Sequence, residues 1–116
     1  ISRSLKAERH YGARNMRSRI KGGYNSGMVA IEWCIRKQAS RVILLGFDCS
    51  LTNGTHHHGD HERTPNPNEA RIRHWQKHFT ALREAYPKAD VLNCSRYTEL
   101  FAFPRVPLED VLCGRI

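Results

Sequence analysis

The stretch that decides the fold is Arg41-Val-Ile-Leu-Leu-Gly-Phe-Asp48. It is a short, continuous apolar run with β-branched residues, and this pattern predicts a strand covered on both faces, as in a parallel sheet. Gly46 and Asp48 mark the carboxyl end of that strand. Open α/β sheets bind their ligands outside such ends, so this end is the first place to look for a site.

A helix is predicted before this strand, over residues 26–38. Apolar residues lie on most of its sides, which indicates a largely buried helix. Ser26 is the expected N-cap, Trp33 is assigned to the core, and Glu32 and Arg36 form an expected i,i+4 pair.

A second helix is predicted after the strand, over residues 68–86, with Asn68 or a neighbour as its N-cap and Pro87 as its stop. His74 and His78 are assigned to its exposed side. A short strand at residues 89–93 and a helical turn at residues 108–112 follow. The apolar stripe of this helix shows 3-4-3-4 spacing and consists of Ile72, Trp75, Phe79, Leu82 and Tyr86.

The order of helix, strand, long loop, helix and strand predicts an α/β fold, a Rossmann-like parallel sheet with flanking helices. Two strands are too few for a stable sheet of this kind. Either another strand lies near one end of the chain or strands that belong upstream are missing. The first residue is Ile1 rather than Met, and this agrees with the expectation of a piece of a larger domain.

The charge of the 116-residue chain is unevenly distributed. Seven of the 19 Lys and Arg and a single acid, Glu8, lie in residues 1–21, so this segment carries +6 of the net charge of +8. We therefore predict a basic arm at residues 1–21 and an α/β domain at residues 22–116. The arm either attracts polyanions such as nucleic acid or is a solvated basic face. No apolar run is long enough to span a membrane, and the four cysteines lack zinc or disulfide spacing, which favours a cytoplasmic location.

The first candidate site is the turn Gly22-Gly-Tyr-Asn-Ser-Gly27, which opens the first helix. Glycines let the backbone approach a ligand closely, and free amides at a helix N-terminus favour an anion. Gly23, Asn25, Ser26 and Gly27 are therefore candidate phosphate-binding residues. An ordinary capped helix start is the alternative.

The strand ends supply further candidates. Asp48 is placed to hold a hydroxyl, a ribose or a metal, or else to cap its loop, and Gly46 lies beside it. Asn93 and Ser95 end the second strand and lie next to Asp48 if the two strands are neighbours. They can bond a base or a sugar, or cap the next turn.

The richest cluster is His56-His-His-Gly-Asp-His61, within a polar loop at residues 49–68. Imidazole and carboxylate groups suit a divalent transition metal, general acid–base chemistry, or simply an exposed polar loop. We expect no metal here and expect His56, His58 or His61 to act as a base or charge stabiliser, with Asp48 as a further catalytic candidate.

These patches together resemble a bacteriophage and prophage protein family of unassigned function, over residues 22–112. The resemblance rests on Asn25-Ser-Gly27, on the strand that ends at Asp48, on residues 54–56 and 58–61, and on residues 93–96, 103–104 and 108–112. The Ser-Gly helix start and the Gly-x-Asp strand end are also distantly similar to bacterial sialyltransferases and to motility-accessory and pterin-diphosphokinase-like proteins. The resemblance implies a Rossmann-like sheet that binds a nucleotide, often a cytidylyl sugar donor.

Three functions are consistent with the sequence. The favoured one is nucleotide or nucleotide-sugar binding, with transferase activity if the rest of the sheet is present. The second is a phage accessory protein that binds nucleic acid through residues 1–21. The third is a metal-dependent hydrolase that uses the histidine loop.

Overall fold

Two parallel strands form the sheet of this protein, as the computed structural model shows for residues 17–22, 25–51 and 68–116. The predicted α/β class with parallel pairing is confirmed at this level, while a complete Rossmann-like sheet stays a prediction. The elements in chain order are α1 (Ser26–Arg36), β1 (Val42–Leu44), α2 (Glu69–Ala85), β2 (Val91–Asn93) and α3 (Leu108–Leu112).

The sheet gains one further parallel contact from the C-terminal segment. The Asn93 N–H donates to the Pro104 carbonyl at 2.8 Å, and the Val106 N–H donates to the Asn93 carbonyl at 3.1 Å. These bonds form a bridge between Asn93 and Arg105 on the side of β2 away from β1. The opposite edge of β1 pairs with no strand in the part of the chain that the structure describes.

The two faces of β1 differ in how well they are covered. Val42, Leu44 and Val91 share one face and pack in the core with residues of α1 and α2. On the other face Ile43 is 39% exposed, and Leu45, just beyond β1, is 57% exposed. The prediction that this strand is covered on both faces is therefore wrong, because the two long helices pack on the same face.

Helix α1 is capped one residue earlier than expected. Asn25, not Ser26, is the N-cap, and its side-chain oxygen accepts the Met28 N–H at 3.0 Å. The helix buries Met28 and Ile31 but leaves Trp33 37% exposed, so the core assignment of Trp33 is wrong. Only one stripe of an apolar helix is covered when it packs on a single sheet face.

Glu32 of α1 is fully buried instead of pairing with Arg36 on the surface. Its Oε1 accepts hydrogen bonds from the Arg19 N–H at 2.8 Å and from the Tyr86 hydroxyl at 3.0 Å. Arg36 donates instead to the Arg17 carbonyl. The predicted i,i+4 pair is wrong because Glu32 points inward along the packed stripe.

Helix α2 agrees with its predicted start, stop and apolar stripe. The Asn68 side chain accepts the Arg71 N–H at 2.9 Å, and Phe79 and Leu82 are buried. His78 is only 9% exposed, so its assignment to the solvent-exposed side is wrong. It lies three residues after Trp75 and four before Leu82, which places it at the border of the stripe.

Part of the segment assigned to the basic arm belongs to the folded body. Ile20 is 7% exposed and joins the core cluster. The Arg19 guanidinium also lies over the Tyr86 ring, 5.5 Å from its centroid. Among the described helices, none has the length and apolar character needed to cross a membrane.

Candidate functional site

The turn after β1 carries the central residues of the site. Gly46 has a φ of 72° and Cys49 a φ of 49°, so both adopt left-handed backbone. A Cβ atom at Gly46 would meet no other atom within 4 Å, so the backbone conformation alone favours glycine there. Cys49 is a non-glycine residue in this region, a conformation that costs energy and often accompanies function.

A hydrogen-bond network fastens this turn to the end of β2. The Phe47 N–H donates to the Ser95 hydroxyl at 2.9 Å, and the Thr98 hydroxyl donates to the Phe47 carbonyl at 2.6 Å. Asn93 Nδ2 donates to that Thr98 hydroxyl, and Asn93 Oδ1 accepts the Ser95 N–H. Asn93 has no exposed surface. The buried Asn93 side chain therefore positions the turn, and its amide is not accessible to a base or sugar.

A groove of about 270 Å³ lies between this turn, the start of α1 and the side of α2. Asp48 borders the groove, and none of the described residues forms a hydrogen bond or an ion pair with its carboxylate. The rest of the wall is largely aromatic and apolar, apart from Asn25. The lining residues are Asn25, Gly27, Gly46, Phe47, Asp48, Cys49, Trp75 and Phe79.

The Cys49 thiol lines this groove in its protonated, weakly nucleophilic form. Burial, together with the nearby Glu99 carboxylate, raises the pKa of the Cys49 thiol to about 11. The thiol is therefore protonated at neutral pH, and the thiolate is the nucleophilic and metal-binding form. Its role here is to line the wall.

Gly27 is required by the aromatic wall of the groove. A Cβ atom at this position would lie 2.9 Å from Phe47 Cε1 and 3.1 Å from Asn25 Oδ1. Phe47 in turn meets Phe79 edge to face, with 6.2 Å between ring centroids. The glycine thus lets the turn after β1 approach the start of α1.

A second cavity, of about 380 Å³, shares Asn25 and Trp75 with the groove and extends along the other side of the α1 N-terminus. The Asn25 side chain accepts the Met28 amide. The Ser26 and Gly27 amides have no acceptor among the described residues. Helix α2 contributes basic and imidazole groups to the opposite wall. The lining residues are Gly22, Asn25, Ser26, Arg71, His74, Trp75 and His78.

A third cavity, of about 880 Å³, lies at the carboxyl ends of the strands on the far side of Gly46. Ser95, Arg96 and Arg105 line it together with residues of α3. The Arg105 guanidinium donates to the Arg96 carbonyl at 2.8 Å. Ser95 therefore opens into this cavity and not into the groove that contains Asp48.

The candidate residues predicted from sequence thus fall into three groups. Asn25, Gly27, Gly46 and Asp48 meet around the groove, and Ser26 lines the adjoining cavity. Asn93 and Ser95 hold the turn in place. Gly23, His56, His58 and His61 lie outside the described residues. Within the described ranges, no three His, Cys, Asp or Glu side chains are grouped so that they could hold a metal.

Sequence reasoning missed the contribution of α2 to the site. Arg71, His74 and His78 are three and four residues apart, so they form a polar stripe that runs beside the apolar one. That spacing is the signal that could have identified them. The core assignment of Trp75 is incomplete, because this side chain is partly buried and borders both the groove and the adjoining cavity.

Comparison of the chain with protein-family models, with curated proteins and with solved structures finds no match. The resemblance to a phage family and to nucleotide-sugar transferases therefore stays a prediction from the sequence motifs.

Proposed function

We propose that this chain binds a nucleotide or nucleotide sugar in the groove between the α1 N-terminus, the turn after β1 and α2. The observation that supports this most directly is the meeting of Asn25, Gly27, Gly46 and Asp48 around one groove, at the carboxyl end of a parallel strand. Ligands of open α/β sheets bind at this place.

The residues in and beside the groove suit the base, the sugar and the phosphate of a nucleotide. Phe47 and Trp75 offer aromatic surface for a base. The Asp48 carboxylate can accept hydrogen bonds from sugar hydroxyls, since no described residue satisfies it. The Ser26 and Gly27 amides have no acceptor among the described residues, and free amides at a helix N-terminus favour an anion such as phosphate. Group transfer from a bound nucleotide sugar is the activity that the resemblance implies for such a site.

The test is calorimetric titration of the protein with CMP, UMP, AMP and GMP in turn. We expect saturable binding of at least one of them. Asp48→Asn should weaken it about tenfold, as expected when a charge-assisted hydrogen bond is lost. Asp110→Asn is the control, because Asp110 pairs with Arg115 on the surface and lines neither the groove nor the cavity beside it.

The aromatic contribution has a matched pair of variants. Trp75→Leu should weaken nucleotide binding about tenfold through lost stacking, whereas Trp33→Leu should leave it unchanged. Trp33 is an exposed tryptophan on α1 that does not line the groove. Equal affinity in wild type, Asp48→Asn and Trp75→Leu, with all three folded by circular dichroism, would contradict the proposal.

A further inference from the structure

The cavity beside the groove is lined by a histidine whose hydrogen bonding the described residues leave incomplete. His78 is more than nine-tenths buried, and its Nδ1 atom has no hydrogen-bond partner among the described residues. Buried polar atoms are nearly always hydrogen-bonded, so this nitrogen requires a partner that the described residues do not supply. His78 lines this cavity together with the α1 N-terminus.

We propose that this cavity is a phosphate-binding site formed by Arg71, His74 and His78 of α2 together with the free amide of Ser26 at the α1 N-terminus. The site would receive the phosphate end of the ligand, and in that respect the inference rests on the proposed nucleotide function. It assigns to α2 a binding role that goes beyond the glycine-rich turn.

Among the described lining residues, Arg71 and the α1 N-terminus supply positive charge that favours an anion. The Arg71 guanidinium has no ion-pair partner among the described residues. His74 is exposed on the same helix, and its ring meets that of His78 edge to face, with 4.2 Å between centroids. The helix N-terminus adds partial positive charge, and Asp or Glu is absent from the described lining. Arg and imidazole N–H groups are strong donors to phosphate oxygens.

Gly22 shapes the cavity next to His78. Its φ of 71° is left-handed, and a Cβ atom there would lie 3.6 Å from His78 Nε2. The backbone therefore passes close to the imidazole on the Nε2 side. The Nδ1 atom on the other side of the ring has no hydrogen-bond partner among the described residues.

A divalent metal is the competing ligand, since two histidines four residues apart on a helix can bind one. The cavity offers no carboxylate or thiolate from the described residues to complete such a site, and no third metal-ligating side chain among them joins the pair. Arg71 also lies in the wall and repels a cation. Both observations favour phosphate over metal.

The experiment is an NMR titration of the ¹⁵N-labelled full chain with inorganic phosphate, against sodium chloride at matched ionic strength. We expect saturable shifts at the Ser26 amide and at both imidazoles, with phosphate and not with chloride. Arg71→Gln should weaken phosphate binding about tenfold, as for a lost charge-assisted hydrogen bond. Arg73→Gln is the matched control, because Arg73 lies on the same helix, pairs with Glu69 and does not line the cavity.

His78→Gln tests the buried imidazole, and His74→Gln, at an exposed position, keeps the test open if the first variant does not fold. Each should weaken phosphate binding, and phosphate should raise the NMR-titrated pKa of both imidazoles in the wild type. The proposal is overturned by non-saturable shifts, by equal losses in Arg71→Gln and Arg73→Gln, or by stoichiometric zinc binding that His74→Gln removes and Arg71→Gln does not.

Nucleosides without phosphate separate this inference from the proposed function. If cytidine or another nucleoside binds in the groove while inorganic phosphate does not bind, the phosphate site is wrong and the nucleotide groove stands. If phosphate binds at the cavity while neither nucleosides nor nucleotides show Asp48-dependent binding, the groove assignment fails and the phosphate site stands.

Discussion

At the scale of single residues, the buried Glu32 shows how a polar group is kept inside this small core. Its Oε1 accepts two hydrogen bonds, one from the Arg19 amide and one from the Tyr86 hydroxyl, while Oε2 has no partner among the described residues. Burial, and then the hydrogen bond to Glu32, raise the pKa of Tyr86 above its ordinary value. The hydroxyl therefore stays protonated and keeps donating across the neutral range.

Removal of that hydroxyl should destabilise the fold. Tyr86→Phe leaves a buried carboxylate with one donor fewer, and we expect a loss of about 1–3 kcal/mol in the free energy of unfolding. Tyr97→Phe is the matched control, because Tyr97 is 60% exposed and lies outside the core. Urea unfolding followed by circular dichroism measures both variants. Equal stability of the two would show that Glu32 does not depend on Tyr86.

His78 makes stability depend on pH in a defined direction. Burial, and then the neighbouring His74, lower the pKa of His78 in the folded chain. The groups that line the cavity with it are Arg71 and His74 of α2 and the α1 N-terminus. The unfolded chain therefore binds a proton at this residue more readily than the folded chain.

The contribution of the neutral His78 to the free energy of unfolding is therefore complete above the ordinary histidine pKa of about 6.5 and decreases as the pH falls below it. We expect the melting temperature to decrease between neutral pH and mildly acidic pH, and to decrease less in His78→Gln. Added phosphate should offset part of the decrease, because an anion favours the charged imidazole. A steeper acid loss in His78→Gln than in the wild type would contradict this assignment.

At the scale of elements, the ends of the helices could be predicted from the sequence where residues close in the chain determine them. Asn68 and Pro87 bound α2 because a cap and a proline act within one turn. The inward and outward sides of α1 were less predictable, since nearly every side is apolar and tertiary packing alone decides that Glu32 is buried and Trp33 exposed. The Asn93–Thr98–Phe47 network likewise joins residues distant in sequence, which no local pattern encodes.

The two asparagine caps provide a test that separates stability from binding. Asn25 and Asn68 each accept the amide three residues ahead, at 3.0 Å and 2.9 Å. Replacement of either by alanine should cost about 1 kcal/mol of unfolding free energy. Only Asn25→Ala should also weaken nucleotide binding, because Asn25 borders both the groove and the cavity and Asn68 borders neither. Equal effects of the two variants on binding, measured by calorimetry, would remove Asn25 from the site.

At the scale of the whole molecule, the α/β class and the parallel pairing followed from the order of elements. The small size of the two-stranded sheet did not follow from it, because the length and the coverage of each strand depend on which other segments pack against the sheet. Ile43 and Leu45 belong to a run that looks buried in sequence, yet the helices that flank β1 in the chain pack on one face only. The local sequence predicted the site residues of the glycine-rich turn and of the end of β1. It did not predict those of α2, because only tertiary packing brings that helix to the site.

Because the net charge is +8, the salt dependence of binding distinguishes a nucleotide site from a nucleic-acid interface. Residues 17–22 contribute to the folded body through Ile20, so a deletion that tests the arm should remove residues 1–16, which carry +3. Binding to duplex DNA through about four phosphate contacts should weaken roughly a hundredfold between about 50 and 200 mM salt. A nucleotide held by stacking and one phosphate depends on fewer ionic contacts.

We therefore expect nucleotide affinity to change less than about tenfold over the same salt range and to survive deletion of residues 1–16, since the described linings of the groove and cavity draw on none of them. Calorimetry with a mononucleotide and fluorescence anisotropy with a labelled DNA duplex measure the two affinities on the same pair of proteins. Tight, salt-sensitive DNA binding that the deletion abolishes, with no mononucleotide binding in either protein, would favour the basic arm as the functional element. Retained mononucleotide binding in the shortened chain would instead locate function in the groove between the α1 N-terminus, the turn after β1 and α2.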